Sequence, residues 1–170
     1  MSDPARPPAV VIGVGNPLQG DDGLGIAAAA ALREGWTFDP PLDVLDGGTW
    51  GINLLPAIEA AERLLVIDAI DVGASPGAPI TLEKQELPRL FFLKLSPHQV
   101  DLRETLALAE LRGHFPTDAV ALGIQPEQVD WGEDLSPCVQ AGFGELLGRV
   151  VQRLEAWGYH AERKAVAARA

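Results

Sequence analysis

Five short blocks of the chain consist mainly of valine, isoleucine, leucine and alanine, and polar segments separate them. Apolar runs of this length and composition are typical of β-strands that are covered on both faces. The predicted strands are 9–14, 43–46, 63–68, 78–83 and 119–124. Because both faces of each strand are apolar, we expect the strands to form one buried sheet.

Residues that favour the start or the end of a helix lie between these strands. Asp21 can cap an alanine-rich helix over 22–34, which Gly35 ends, and Thr49 can cap a helix that runs to about Glu62. Acidic residues in a first turn also complement the helix dipole, so Asp22 fits the same start. Both helices would directly follow a predicted strand.

Two later helices share a serine before a proline at the first helical position. Ser96-Pro97-His98-Gln99 opens the first of them and places His98 in its first turn. Ser136-Pro137 opens a longer helix, which ends near Trp157 with Gly158 as its stop.

Strands that alternate with helices predict an α/β fold: a three-layer α/β/α sandwich around a mostly parallel, about five-stranded twisted sheet. The 170 residues, of which 47% are hydrophobic, are enough for one domain over 1–170 with a sizeable core. We expect 1–8 to be an extended leader and 158–170 to fray. Ligands of such folds bind beyond the carboxyl ends of the strands.

Charge and cysteine content narrow the classes of function. The chain has 13 Lys and Arg against 24 Asp and Glu, a formal charge of -11, which disfavours nucleic acid and anionic membranes as partners. The single cysteine, Cys138, excludes an internal disulfide and a cysteine-based zinc site. The apolar run at 10–14 is too short for a signal peptide, and no run approaches the ~20 residues of a membrane helix. We expect a cytoplasmic protein.

A glycine-rich turn follows the first strand and leads into Asp21 and Asp22. Its glycines are not spaced as in a dinucleotide-binding loop, and the two aspartates stand where a P-loop has Lys and Ser or Thr. A nucleotide-binding module is therefore the weaker interpretation. We expect the glycines instead to leave room for a bound group such as a substrate tail.

Polar residues with metal-binding side chains follow the first three predicted strands. These are Asp22, Asp46 and Asp68, and His98 lies at a later helix start. The carboxyl ends of parallel strands share one edge of the sheet, so the aspartates should gather there. Two carboxylates and an imidazole suit a borderline divalent ion such as nickel, zinc or manganese. A helix N-terminus would keep His98 neutral, as a ligand must be.

Each of these residues also has a purely structural interpretation. Asp22 can complement a helix dipole, and Asp46 and Asp68 can each begin a turn through their side chains. His98 alone would be an ordinary polar residue of a first helical turn. Both interpretations are open when each position is considered by itself.

The order of these residues resembles that of one family. The landmarks are Gly13-Val14-Gly15-Asn16 with Asp21-Asp22, then Asp46-Gly47-Gly48-Thr49, then Asp68-Ala69, then Ser96-Pro97-His98-Gln99. Over 9–157 the chain resembles the hydrogenase maturation endopeptidases, which remove a C-terminal extension from the large subunit of nickel-iron hydrogenases. The resemblance implies that Asp22, Asp68 and His98 contact the metal.

The resemblance also implies that nickel arrives in the large-subunit precursor, so that the enzyme needs no organic cofactor. We expect a monomer whose partner is this precursor. The sequence lacks the H-E-x-x-H motif of zinc proteases. Hydrolysis would use a water activated by the metal or by a carboxylate, with Asp46 as the first candidate. A nickel-binding escort that cleaves nothing is the alternative.

Overall fold

The computed structural model describes residues 8–48, 51–88 and 97–165, with the backbone alone at 97–101. All five predicted strands are confirmed within a residue or two at their ends. Together with a short pair, the strands are β1 (Ala9–Gly13), β2 (Trp36–Asp39), β3 (Asp43–Asp46), β4 (Arg63–Ala69), β5 (Pro79–Glu83), β6 (Asp118–Ile124) and β7 (His160–Arg163).

The predicted strands form one five-stranded sheet in the order β3-β1-β4-β6-β5. The first four strands are parallel, and β5 is antiparallel to β6. The prediction of a mostly parallel sheet is therefore confirmed. Since β1, β3, β4 and β6 all run in one direction, their carboxyl ends lie along a single edge of the sheet.

Helices cover both faces of this sheet. The helices are a 3-10 helix at Gly20–Gly23, α1 (Leu24–Gly35), a 3-10 helix at Gly51–Leu54, α2 (Leu55–Ala60), a 3-10 helix at Lys84–Glu86, α3 (Pro97–Leu111) and α4 (Pro137–Ala156). Apolar residues of α1 and α4 pack on one face, and those of α2 and α3 pack on the other. This arrangement confirms the three-layer sandwich.

A second, two-stranded sheet was not predicted. It pairs β2 with β7 in antiparallel register, so that Phe38 lies opposite Ala161. Residues 160–163, which belong to the tail expected to fray, thus hydrogen-bond to the segment after α1. Close by, the backbone N–H of Ala9 donates to the Tyr159 hydroxyl at 2.9 Å. The segment after α4 is therefore tied to the first strand of the main sheet.

Of the two predicted helix caps that the structure describes, Asp21 is wrong and Ser136 is confirmed in position but makes no side-chain capping bond. The residue before α1 is Gly23, and the Asp21 carboxylate does not cap that helix. Ser136 does precede α4 with an extended backbone, but its hydroxyl makes no capping bond. The two side chains instead bond to each other. The predicted caps Thr49 and Ser96 lie outside the described residues.

Within 8–48, 51–88 and 97–165, no helix combines the length and the apolar character that a membrane span requires.

Candidate active site

The carboxyl edge of the sheet is where three neighbouring strands end together. The backbone N–H of Gly47 donates to the Gly13 carbonyl, and that of Val14 donates to the Ile67 carbonyl at 3.0 Å. These bonds join the segment after β3 to the end of β1, and the segment after β1 to the end of β4. Each of the three predicted aspartates lies in or directly beside one of these segments.

Asp22 lies in the 3-10 helix between β1 and α1 and is 1% exposed. The N–H of Asn16 donates to the Asp22 carboxylate Oδ2 at 3.0 Å and to the Asp22 carbonyl at 3.1 Å. Asn16 in turn accepts the N–H of Leu18 with its side-chain oxygen, at 2.9 Å. The 3-10 helix contacts β4, whose last residues include Asp68. The turn after β1 thus folds back and holds Asp22 beside the end of β4.

The glycines of this turn serve close contacts within the chain. Gly15 has a φ of +126°, and a Cβ there would overlap the Asp22 carbonyl oxygen. A Cβ on Gly25 would overlap the Ile67 carbonyl, and one on Gly13 would overlap the Gly25 carbonyl. The prediction that these glycines leave room for a substrate tail is therefore wrong at these positions, because backbone of the same chain fills the space.

Asp68 is the next-to-last residue of β4 and is also 1% exposed. Side chains alternate between the faces of a strand, so Asp68 shares a face with Leu64 and Val66. Those two side chains belong to the cluster that α2 and α3 cover. Asp68 therefore lies on the α2 and α3 side of the sheet, at the carboxyl edge.

The backbone of α3 places His98 at the same edge. This helix contacts the 3-10 helix at Gly51–Leu54, which follows the carboxyl end of β3. Beyond its other end, the Arg112 side chain bonds to Glu59 near the end of α2, and the chain then enters β6 at its amino end. The first turn of α3 thus lies on the face and at the edge where Asp68 is found. The His98 side chain lies outside the description.

Asp46 differs from the two buried aspartates because it is exposed. Its Oδ1 accepts the N–H of Gly48 at 3.0 Å, which confirms the predicted turn. Among the side chains that the structure describes, no three His, Cys or acidic groups could together hold a metal ion. Asp22, Asp46 and Asp68 therefore do not form such a set by themselves.

Asp21 is a residue of this edge whose role the sequence did not show. Its buried carboxylate accepts the N–H of Glu127 at 2.9 Å and that of Gln128 at 3.1 Å. It also accepts the N–H of Ser136 at 2.7 Å and the Ser136 hydroxyl at 2.8 Å. Burial alone would raise the pKa of Asp21, but these four bonds outweigh it and hold the pKa below its ordinary value. A charged Asp21 thus fixes the segment after β6 to the turn after β1.

Gln125 is a second residue that sequence reasoning missed. It follows β6 and is buried, and its Oε1 accepts the N–H groups of Val72 at 2.9 Å and Ala74 at 3.1 Å. Its Nε2 donates to Asp71 at 2.9 Å. Gln125 therefore fixes the segment after β4, which begins two residues beyond Asp68. A single glutamine after a strand carries no sequence signal for this role.

The protein is thus of the α/β class, and the carboxyl edge of its sheet carries three buried carboxylates, those of Asp21, Asp22 and Asp68. Residues 26–153 match the model of a family described as hydrogenase maturation protease. The match includes Asp46, Asp68 and His98 and begins after Asp22. The chain belongs to the hydrogenase maturation protease family, and it is a peptidase.

Individual relatives agree with this assignment. The chain is 36% identical over 151 residues to the hydrogenase expression/formation protein HoxM of Cupriavidus necator, covering 88% of this chain and 75% of HoxM. It is similar to the structure of the hydrogenase maturating endopeptidase HybD from E. coli, with a TM-score of 0.87 at 32% identity and coverage of 92% and 98%. The NiFe hydrogenase maturation protease HybD from Thermococcus kodakarensis has a TM-score of 0.67 at 25% identity, with coverage of 86% and 98%.

Proposed function

We propose that this peptidase removes the C-terminal extension of the large-subunit precursor of a nickel-iron hydrogenase, and that it recognises the nickel already present in that precursor. The metal contacts would be Asp22, Asp68 and His98. The observation that carries the proposal is the placement of two buried carboxylates and the start of α3 at one edge of the sheet.

The donor set suits the metal. Nickel accepts carboxylate oxygen and imidazole nitrogen, and two carboxylates would offset the charge of a divalent ion brought in by the substrate. Asp22 and Asp68 come from different segments, which the bond from Val14 to Ile67 holds together. Their burial limits competition from water. His98 would supply the nitrogen donor, and the start of α3 favours its neutral form.

Cleavage of the peptide bond requires an activated water. Asp46 is the carboxylate that we propose as its base, because it is exposed at the same edge while Asp22 and Asp68 are buried. Its turn bond to Gly48 holds the side chain in a defined orientation. Asp46→Asn would retain that turn bond but remove the base, so it should lower kcat far more than KM.

The direct test is the mass of a nickel-loaded precursor before and after incubation with the protein. Loss of a C-terminal peptide is the expected result, and it should require both the nickel and the intact site. Binding of the precursor without any change in mass would instead favour a nickel-binding escort. His98→Ala should abolish the cleavage of the precursor. His114→Ala is the matched control and should leave cleavage unchanged, because His114 is exposed beyond the opposite end of α3.

A further inference from the structure

Three large apolar side chains are exposed on two adjacent loops beside the candidate site. The exposed fraction is 47% for Leu18, 43% for Val129 and 82% for Trp131. Single exposed apolar residues are common, but a group of them on adjoining segments is typical of a protein interaction surface. We call these three residues the Trp131 patch.

Backbone pairing brings the two loops together. Gln19 and Gly132 form a parallel bridge, in which the Gly20 N–H donates to the Gly132 carbonyl at 2.7 Å and the Gly132 N–H donates to the Leu18 carbonyl at 3.0 Å. Leu18 and Trp131 each precede a bridge partner by one residue. They therefore occupy neighbouring positions across the bridge, and Val129 lies in the same loop as Trp131.

The loop that carries Trp131 is held in place by hydrogen bonds to the buried Asp21 carboxylate. The Asp21 carboxylate accepts two backbone N–H groups at the beginning of this loop and both donors of Ser136 at its end. A surface fixed in this way loses little conformational entropy when a partner binds. Asp22 follows Asp21 directly in the chain, so the loop that carries Trp131 is bonded to the same turn that holds one proposed metal contact.

Acidic residues lie on either side of Trp131 in the chain. The segment 130–134 contains Asp130, Glu133 and Asp134 and no basic residue, and all three acids are exposed. In the part of the chain that the structure describes, no three acidic groups could hold a metal ion, so these acids are not a cation site. A negative rim around an apolar centre complements a partner segment with an apolar side chain flanked by lysine or arginine.

We propose that the Trp131 patch and its acidic rim form the docking surface for such a basic segment of the hydrogenase precursor. This inference rests on the proposed function, since the precursor is the partner whose chain must reach the adjoining site. Trp131 provides the apolar anchor. The carboxylates of Asp130, Glu133 and Asp134 speed the approach of the basic segment and select against acidic ones.

The test measures precursor binding and processing separately. Trp131→Ala should weaken precursor binding and raise KM by about tenfold or more, as removal of a central aromatic anchor does, and leave kcat unchanged. Leu111→Ala is the matched control, because Leu111 is 85% exposed at the far end of α3. It should change neither value. An equal effect of both variants, or none of Trp131→Ala, would overturn the docking surface.

The acidic rim is tested by charge. Asp130→Asn, Glu133→Gln and Asp134→Asn combined should slow association at low salt by about tenfold and flatten its dependence on ionic strength. Glu110→Gln, Glu145→Gln and Glu155→Gln combined make the same change in net charge elsewhere and should leave the rate near that of the wild type. Equal slowing by both sets would show that net charge alone steers the precursor, against the proposal.

The two proposals can fail separately. If the wild type binds the precursor without cleaving it, the proposed protease function is wrong. The dissociation constants of the variants for the precursor would still test whether the Trp131 patch is the docking surface. If the wild type neither binds nor cleaves, both fail. Sedimentation provides the remaining check: a wild-type dimer that Trp131→Ala dissociates would assign the patch to a second copy of the chain and overturn the proposal.

Discussion

Asp21 and Ser136 are separated by 115 positions, yet the Asp21 carboxylate accepts two hydrogen bonds from Ser136. The Ser136 N–H donates to Asp21 Oδ1 at 2.7 Å, and the Ser136 hydroxyl donates to Asp21 Oδ2 at 2.8 Å. Ser136 is the residue before α4, and Asp21 is the residue before Asp22. The start of the longest helix is therefore fixed to the turn that carries a predicted metal contact.

Asp21→Asn should destabilise the fold. An amide in this place keeps one acceptor oxygen but turns its NH2 group toward N–H donors, which leaves buried donors without partners. The expected loss in the free energy of unfolding is about 3 kcal/mol. Urea unfolding followed by circular dichroism measures it. Ser136→Ala removes only the hydroxyl bond and should cost about 1 kcal/mol. Equal losses in both variants would contradict the role of the charged carboxylate.

The same carboxylate predicts a pH dependence. The pKa of Asp21 is held below its ordinary value in the folded state, so its contribution to stability is complete above the ordinary value and is lost as the pH falls through the lower, folded-state pKa. The difference in stability between wild type and Asp21→Asn should therefore be constant near neutral pH and shrink in acid. Denaturant midpoints at a series of pH values test this. A difference that grows in acid would contradict the assigned sign.

Gly15→Ala should disturb the site more than the fold as a whole. The backbone of Gly15 has a positive φ, and the added Cβ would overlap the Asp22 carbonyl, so the turn must move. We expect a cost of about 1–3 kcal/mol and a large loss of processing. Gly144→Ala is the control, because a Cβ on this helical glycine meets nothing and should stabilise α4 by about 1 kcal/mol. Full processing activity of Gly15→Ala would contradict this prediction, because it would show that the site works when the turn that holds Asp22 has moved.

His98→Ala should abolish processing and leave the fold largely intact. A polar residue in a first helical turn contributes little to the core, whereas the proposed metal contact would lose its only nitrogen donor. The measurement is precursor mass after incubation, with circular dichroism and thermal melting of the same sample. A variant that unfolds would assign His98 a structural role, and a variant that processes normally would remove it from the site.

The sequence predicted the main sheet well because burial on both faces imposes a continuous apolar composition on a strand. It did not predict β2 and β7. Thr37 and Glu162 pair across 125 positions, and the alternating pattern of such short strands is too weak to recognise in isolation. Pairing over that distance depends on where α1 and α4 end, which only the packed fold determines.

The candidate site was predicted in part for a similar reason. A turn aspartate such as Asp46 bonds to its own neighbours, so local sequence reveals it. Asp21 has the local sequence of a helix cap, but its four donors lie more than a hundred positions away and have no local signature. The buried glutamine Gln125 is hidden for the same reason. Such long-range polar contacts become visible only in the structure.

The tie between Ala9 and Tyr159 has a consequence for the protein during its synthesis. The first strand and the turn that carries Asp21 complete their bonds only with residues made much later, among them Ser136 and Tyr159. Contacts of such separation form late, after the intervening chain is available. On the ribosome, a nascent chain that already contains Asp22, Asp68 and His98 still lacks the partners that hold the site together. The peptidase should therefore acquire its activity only after most of it has left the ribosome.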